Sequence, residues 1–202
     1  MKIICIGRNY ADHAKEMNSP VPKEPIFFMK PDTALHREVD FYLPDFTKDL
    51  HHEIEIVVKI NKVGKNIEPQ FASGYYTEIG LGIDFTARDI QKICKESGLP
   101  WEKAKAFDSS AVLSNTFIDK SKLDLTNLSF SLTNNGTVVQ KGTTANMIFS
   151  IDQIIAHISK YVTLKVGDLI YTGTPEGVAS VKIGDQLSGF IEDQKLFDLK
   201  VL

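Results

Sequence analysis

Three carboxylates in this 202-residue chain are spaced for a divalent-metal site: Glu53 and Glu55 in His52-Glu53-Ile54-Glu55-Ile56, and Asp84 in Gly82-Ile83-Asp84-Phe85-Thr86. From Glu53 to Ile60 the chain alternates, with Ile54, Ile56, Val58 and Ile60 on one face and Glu53, Glu55, Val57 and Lys59 on the other. That is the period of a half-buried strand. Both glutamates then point the same way, with α-carbons two rises apart, about 6.5–7 Å, so their side chains can converge on one ion. Like charges held this close repel and raise each other's pKa, a cost that a bound cation reverses. An all-oxygen donor set suits Mg2+, Mn2+ or Ca2+. Zinc fits less well, because neither Cys5 nor Cys94 sits at ligand spacing to a histidine or to the other cysteine. Three protein carboxylates also leave coordination positions for a substrate, as a catalytic metal requires. The competing reading is a solvated strand face whose glutamates do nothing.

A second group lies near the N-terminus, where Gly7-Arg8-Asn9-Tyr10-Ala11-Asp12-His13-Ala14-Lys15-Glu16 follows a strand and enters a short helix. His13 and Glu16 are three apart and share a helical face, so the carboxylate can orient the imidazole as a general base. An ordinary surface pair is the plainer explanation. Lys30, Arg88 and Lys105 are cations flanked by apolar residues, suited to an anionic substrate or an oxyanion. Gln91 faces the same side as Arg88. The segment Thr172-Gly173-Thr174-Pro175-Glu176-Gly177 reads as backbone that approaches a ligand or turns sharply, and Thr174 can offer a hydroxyl or N–H to a carboxylate. His36, His51, His52 and His157 read as structural or exposed.

The elements that must position these groups are mostly short strands. Strands are expected over Lys2–Ile6, Ile26–Met29, Glu53–Ile60, Ile79–Ile83, Leu128–Thr133, Thr137–Gln140, Leu169–Thr172, Gln186–Ile191 and Leu196–Val201, with a hairpin turn at Asn134-Asn135-Gly136. A Lys-x-Gly-Asp phrase occurs at Lys165–Asp168 and at Lys182–Asp185, marking two similar strand entries. Two helices are signalled, one capped by Thr86 with Asp89 and ended by Gly98, the other opened by Ser150 with Gln153. Asn18–Pro25 is a Pro-rich connection, and nothing else divides the chain, so residues 1–202 are expected to form one domain of mainly β character.

Composition narrows the class. With 43% hydrophobic residues the chain can bury a core without disulfides, and Cys5 and Cys94 read as reduced, buried thiols of a cytoplasmic protein. A net charge of -3, with the signs intermixed and no basic stripe, argues against nucleic acid as a partner. No apolar run reaches membrane-spanning length, so a small molecule is the expected partner.

Seven phrases in order resemble the fumarylacetoacetate hydrolase family, in its short acylpyruvase and oxaloacetate decarboxylase branch. They are Gly7–Glu16, Phe28–Pro31, His51–Glu55, Asp84–Gln91, Leu99–Phe107, Gln140–Ile151 and Tyr171–Val178. The resemblance implies a mixed β-roll or β-sandwich fold, Mg2+ or Mn2+ on Glu53, Glu55 and Asp84, and a homodimer. It also implies a His13–Glu16 dyad with Lys105 as the catalytic groups, and Arg8, Lys30, Arg88, Gln91, Gly173 and Thr174 around the ligand. The implied reaction is hydrolysis of a C–C bond in acylpyruvates, with possible decarboxylation of oxaloacetate. Isomerisation or decarboxylation of unsaturated 2-oxo diacids is one alternative, and a non-catalytic metal-stabilised module is another. Two departures stand out: Asp108–Ser114 replaces a turn that in the family often contains Pro-Gly, and Ala179 stands where a glycine is frequent.

Overall fold

The computed structural model describes residues 1–17 and 20–202, so the first two residues of the Asn18–Pro25 connection lie outside the described residues. Its centre is an eight-stranded sheet running Phe27–Lys30, Ile3–Ile6, Leu169–Tyr171, Ile54–Ile60, Tyr76–Asp84, Ala111–Leu113 and Leu35–His36, with Ile118–Asp119 paired to Tyr76–Asp84. Neighbours are antiparallel except for Ile3–Ile6 with Leu169–Tyr171 and Leu35–His36 with Ala111–Leu113. The sheet curls: Lys30, on the strand at one end of the chain of pairings, reaches the Ser110 carbonyl and hydroxyl beside the far strands, at 3.0 Å each.

Strand alternation divides the core. Ile54, Ile56, Val58, Ile79, Leu81 and Ile83 face a second sheet of five strands, represented in that core by Phe130, Leu132, Leu187 and Leu199, and the Ile151–Tyr161 helix through Ile154, Ile155 and Ile158. Ile3, Cys5, Val57, Ala111, Leu113, Leu169 and Tyr171 fill the other, concave face. Tyr171 crosses that face to donate to the Val112 carbonyl at 2.7 Å. Gly82 lies beneath the crossing, where a β-carbon would stand 2.6 Å from the tyrosine ring and overlap the Val112 carbonyl.

Local chemistry accounts for the turns. Asn135 and Gly136 take φ of 51° and 79°, as the two-residue turn between Ser129–Asn134 and Thr137–Thr143 requires. In both Lys-x-Gly-Asp phrases the aspartate accepts the lysine N–H at 2.8 Å, closing matching turns. Ser150 and Gln153 form the expected capping box. The Thr86–Asp89 box does not form. Thr86 and Ala87 pair as a short strand with Leu50–His52, which places the helix start at Arg88, and Asp89 instead accepts from the Thr47 hydroxyl and the Lys48 N–H, at 2.6 and 3.0 Å. The divergent segment supplies the Ala111–Leu113 strand, entered through Ser109 at φ 62°, a left-handed backbone that glycine adopts more readily.

Replacing Gly82→Ala is expected to destabilise the protein by about 1–3 kcal/mol through overpacking against Tyr171 and Val112. Calorimetry should record a lower melting temperature; an unchanged one would mean that Tyr171 and Val112 yield to a side chain at this position without cost.

Candidate metal centre and active site

Strand register brings the three carboxylates together. Ile54 pairs with Ile83 and Glu55 with Gly82, so Glu53 falls opposite Asp84, and the Asp84 N–H donates to the Glu53 carbonyl at 2.9 Å. Directly opposed residues in an antiparallel pair point to the same face. Candidate ligand oxygens of Glu53, Glu55 and Asp84 consequently lie within 4.8 Å of one another. The expected half-buried strand is in fact buried on both faces, with Glu55 at 1% exposure and Val57 at 0%. It also breaks at Glu53, between Leu50–His52 and Ile54–Ile60. Concave curvature is what covers the carboxylate face.

Burying three carboxylates together demands compensating charge. Lys105 Nζ lies 2.8 Å from Glu53 Oε2 and 2.7 Å from Asp84 Oδ2. Lys30 Nζ, 2% exposed and behind the triad, is 2.6 Å from Asp84 Oδ1 and also donates to the Lys105 carbonyl. Arg88 donates to Glu53 Oε1 at 2.5 Å and to Gln91 Oε1 at 2.7 Å. Glu55 has no cationic partner among the described residues and accepts the Gly173 N–H at 2.7 Å. The two glutamates therefore diverge. Burial would raise Glu53, but the Lys105 and Arg88 charges hold it well below the usual carboxylate range. Burial, then Asp84 and Glu53, push Glu55 well above it. The donor set fits a divalent cation: hard oxygens, and one carboxylate with no cation at ion-pair distance among the described residues.

The N-terminal group reaches the same place. Asn9, fully buried, donates to the Phe149 and Thr172 carbonyls at 2.9 and 2.8 Å and accepts the Phe149 N–H at 2.7 Å, fixing the entry to the Ala11–Glu16 helix. Gly173 takes φ 101° against Asn9, and a β-carbon there would stand 2.6 Å from the Asn9 β-carbon. His13 Nδ1 is 3.1 Å from Glu16 Oε2, and Glu16 Oε1 accepts the Gly177 N–H at 3.1 Å. His13, Glu53, Arg88, Gln91, Lys105 and Arg8 line one cleft. Thr174, 3% exposed, accepts from Gln140 Nε2 at 2.9 Å.

Two organising residues carry no signal in spacing. Asn9 is one. Gln140 is the other: its Oε1 accepts from the Ile54 N–H at 3.0 Å and lies 2.8 Å from His52 Nδ1, while its amide donates to Thr174 and Pro175. Buried amides follow no period, and only their partners reveal them.

Because the Glu55 pKa is raised on folding, its contribution to stability is complete below the ordinary value near 4.5 and is lost as pH rises through the raised one. Glu53, held low, loses its contribution only in acid. In chelator, Glu55→Gln should therefore melt above the wild type by a margin that widens as pH rises out of the ordinary carboxylate range. Added Mg2+ or Mn2+ should raise the wild type and leave the variant nearly unmoved. A constant margin would remove the argument for an unbalanced charge on Glu55.

A sequence profile described as the fumarylacetoacetate (FAA) hydrolase C-terminal domain matches residues 2–199. The chain is 44% identical over 201 residues to the oxaloacetate tautomerase FAHD1, mitochondrial, of Bos taurus, covering 98% of this chain and 90% of that protein. To the oxaloacetate tautomerase YcgM of Escherichia coli it is 43% identical over 190 residues, 93% and 86% of the two chains. A crystal structure of fumarylpyruvate hydrolase from Pseudomonas aeruginosa, in complex with Mn2+ and pyruvate, superimposes with a TM-score of 0.94 at 33% identity, over 100% of this chain and 89% of the other. With its mainly β architecture and buried acidic triad, the chain belongs to the fumarylacetoacetate hydrolase family.

Proposed function

We propose that this protein is a divalent-metal-dependent enzyme of 2-oxo acids that moves a proton at the carbon beside the 2-oxo group. Tautomerisation and decarboxylation of oxaloacetate, and C–C hydrolysis of acylpyruvates, share that requirement. The observation that carries the reading is that His13, paired with Glu16, lines one cleft with Glu53 of the carboxylate triad and with Lys105, which bridges Glu53 to Asp84. Mg2+ or Mn2+ held by Glu53, Glu55 and Asp84 would supply Lewis acidity toward the substrate's oxygens and favour its enolate form.

The chain's own groups do the remainder. Glu16 holds the Nδ1 proton of His13, which leaves Nε2 as the basic nitrogen, and the Gly177 N–H fixes Glu16 in turn. In tautomerisation His13 takes a proton from carbon and returns it to the opposite end of the enolate system. In acylpyruvate cleavage it takes a proton from water instead. The Lys105 ammonium stabilises negative charge that develops on substrate oxygen. Arg88 and Gln91 flank the substrate, while Gly173 and Thr174 form the wall beside Glu55. Lys30 holds Asp84 from behind. A homodimer is part of this reading, supported by the exposed apolar side chains Val39, Tyr42 and Phe46 on one segment.

Purified protein loaded with Mg2+ or Mn2+ is expected to accelerate enol–keto exchange of oxaloacetate, followed by loss of enol absorbance, and to release pyruvate from oxaloacetate or acetylpyruvate. Chelation should abolish all of these. His13→Ala should lower tautomerisation and hydrolysis by about 10²–10⁴-fold while metal binding by calorimetry persists. Metal binding without turnover of either compound would defeat the reading.

A further inference from the structure

The cations around the cleft fall into two sets. Lys30, Lys105 and Arg88 are each committed to the carboxylates of the triad. Arg8 and Lys95 are not. Arg8 donates to the Pro20 carbonyl at 3.3 Å, and Lys95 Nζ stands 5.7 Å from the centroid of the Trp101 ring. Neither has an acidic partner within ion-pair distance among the described residues. Yet both line the same cleft as His13, Glu53 and Lys105.

Helical geometry aims Lys95 there. On the Arg88–Ser97 helix, Arg88, Gln91 and Lys95 follow one another at three and seven residues, a single stripe. Its first two members meet the triad end of the cleft, and Lys95 stands about two turns further on. Burial, then the neighbouring charges of Arg88 and Arg8, lower the Lys95 pKa, so its ammonium sits in a field that an anion would relieve. The sequence alone offers Lys30, Arg88 and Lys105 as cations for an anionic substrate, and the structure pairs all three with the triad.

We propose that Lys95, assisted by Arg8, binds a second carboxylate at the end of the substrate away from the triad, and so selects 2-oxo diacids over 2-oxo monoacids. This rests on the 2-oxo acid reading above. The face of Trp101 and the ammonium above it bound the subsite, with Arg8 approaching from the loop before the His13 helix. Lys92, one turn earlier and exposed like Lys95, lies 4.0 Å from Glu96, does not line the cleft and serves as the comparison.

Trp101 is the chain's only tryptophan, so its fluorescence reports occupancy of this cleft without turnover. The probes are 2-oxoglutarate and 2-oxopentanoate, which have equal carbon chains and differ in the distal carboxylate, titrated into Mg2+- or Mn2+-loaded protein. Wild type is expected to bind the diacid at least about tenfold more tightly, roughly 1.4 kcal/mol. Lys95→Met should bring the ratio close to one, Lys95→Arg should restore most of it, and Lys92→Met should keep it. Equal affinities in wild type, or a preference that survives both Lys95→Met and Arg8→Gln, would overturn the assignment and leave the 2-oxo acid reading standing. Binding of neither probe by metal-loaded protein would overturn both.

Discussion

Three carboxylates buried within reach of one another repel, and the rest of the site is arranged around that repulsion. Glu53, Glu55 and Asp84 are each at most 5% exposed, so water does little to screen them. Lys105 bridges two of them, Lys30 braces Asp84 from behind, and Arg88 caps Glu53. The balance is incomplete at Glu55, and on the proposed reading a divalent ion held there would supply the missing charge. A fully paired cluster would be an inert ion network, and an unpaired one would not fold around its own charge.

Holding that cluster requires a rigid frame, and hydrogen-bonded strands provide it. Register fixes Glu53 against Asp84, and curvature turns their shared face inward, where Tyr171 and Val57 seal one side. The second sheet and the Ile151–Tyr161 helix bury the opposite face, so the carboxylate-bearing strands are clamped from both directions. The Ala11–Glu16 helix and the loop from Gly173 are then tied to this frame. Asn9 ties the His13 helix to the Phe149 and Thr172 carbonyls, and Gln140 ties the start of the Ile54–Ile60 strand to Thr174 and Pro175. Each amide joins segments more than 30 residues apart, so dyad and triad keep their spacing although they arise on separate elements.

Much of this was legible in the chain. Alternation from Ile54 to Ile60 gave one strand, Asn134-Asn135-Gly136 the hairpin between Ser129–Asn134 and Thr137–Thr143, and Ser150 with Gln153 a true capping box. The contact between His13 and Glu16 followed from helical spacing, since they meet on one turn. Thr86 with Asp89 misled because a capping box is a local preference of about 1 kcal/mol, and pairing with Leu50–His52 outcompetes it. The half-buried strand misled for a related reason: alternation reports two faces and says nothing about whether a curled sheet covers the second.

Sequence by itself determined which groups are available and which neighbours along the chain can cooperate: two glutamates on one strand face, a histidine with its carboxylate, cations in apolar surroundings. Period and turn chemistry are local, so the chain displays them openly. Only the tertiary structure decided how these groups divide the work. It paired Lys30 and Arg88 with the triad, left Lys95 and Arg8 without acidic partners among the described residues, and made Asn9 and Gln140 the joints of the site. Those outcomes depend on distances between residues far apart in sequence, and electrostatic partnership is set by distance and burial, neither of which a residue type encodes.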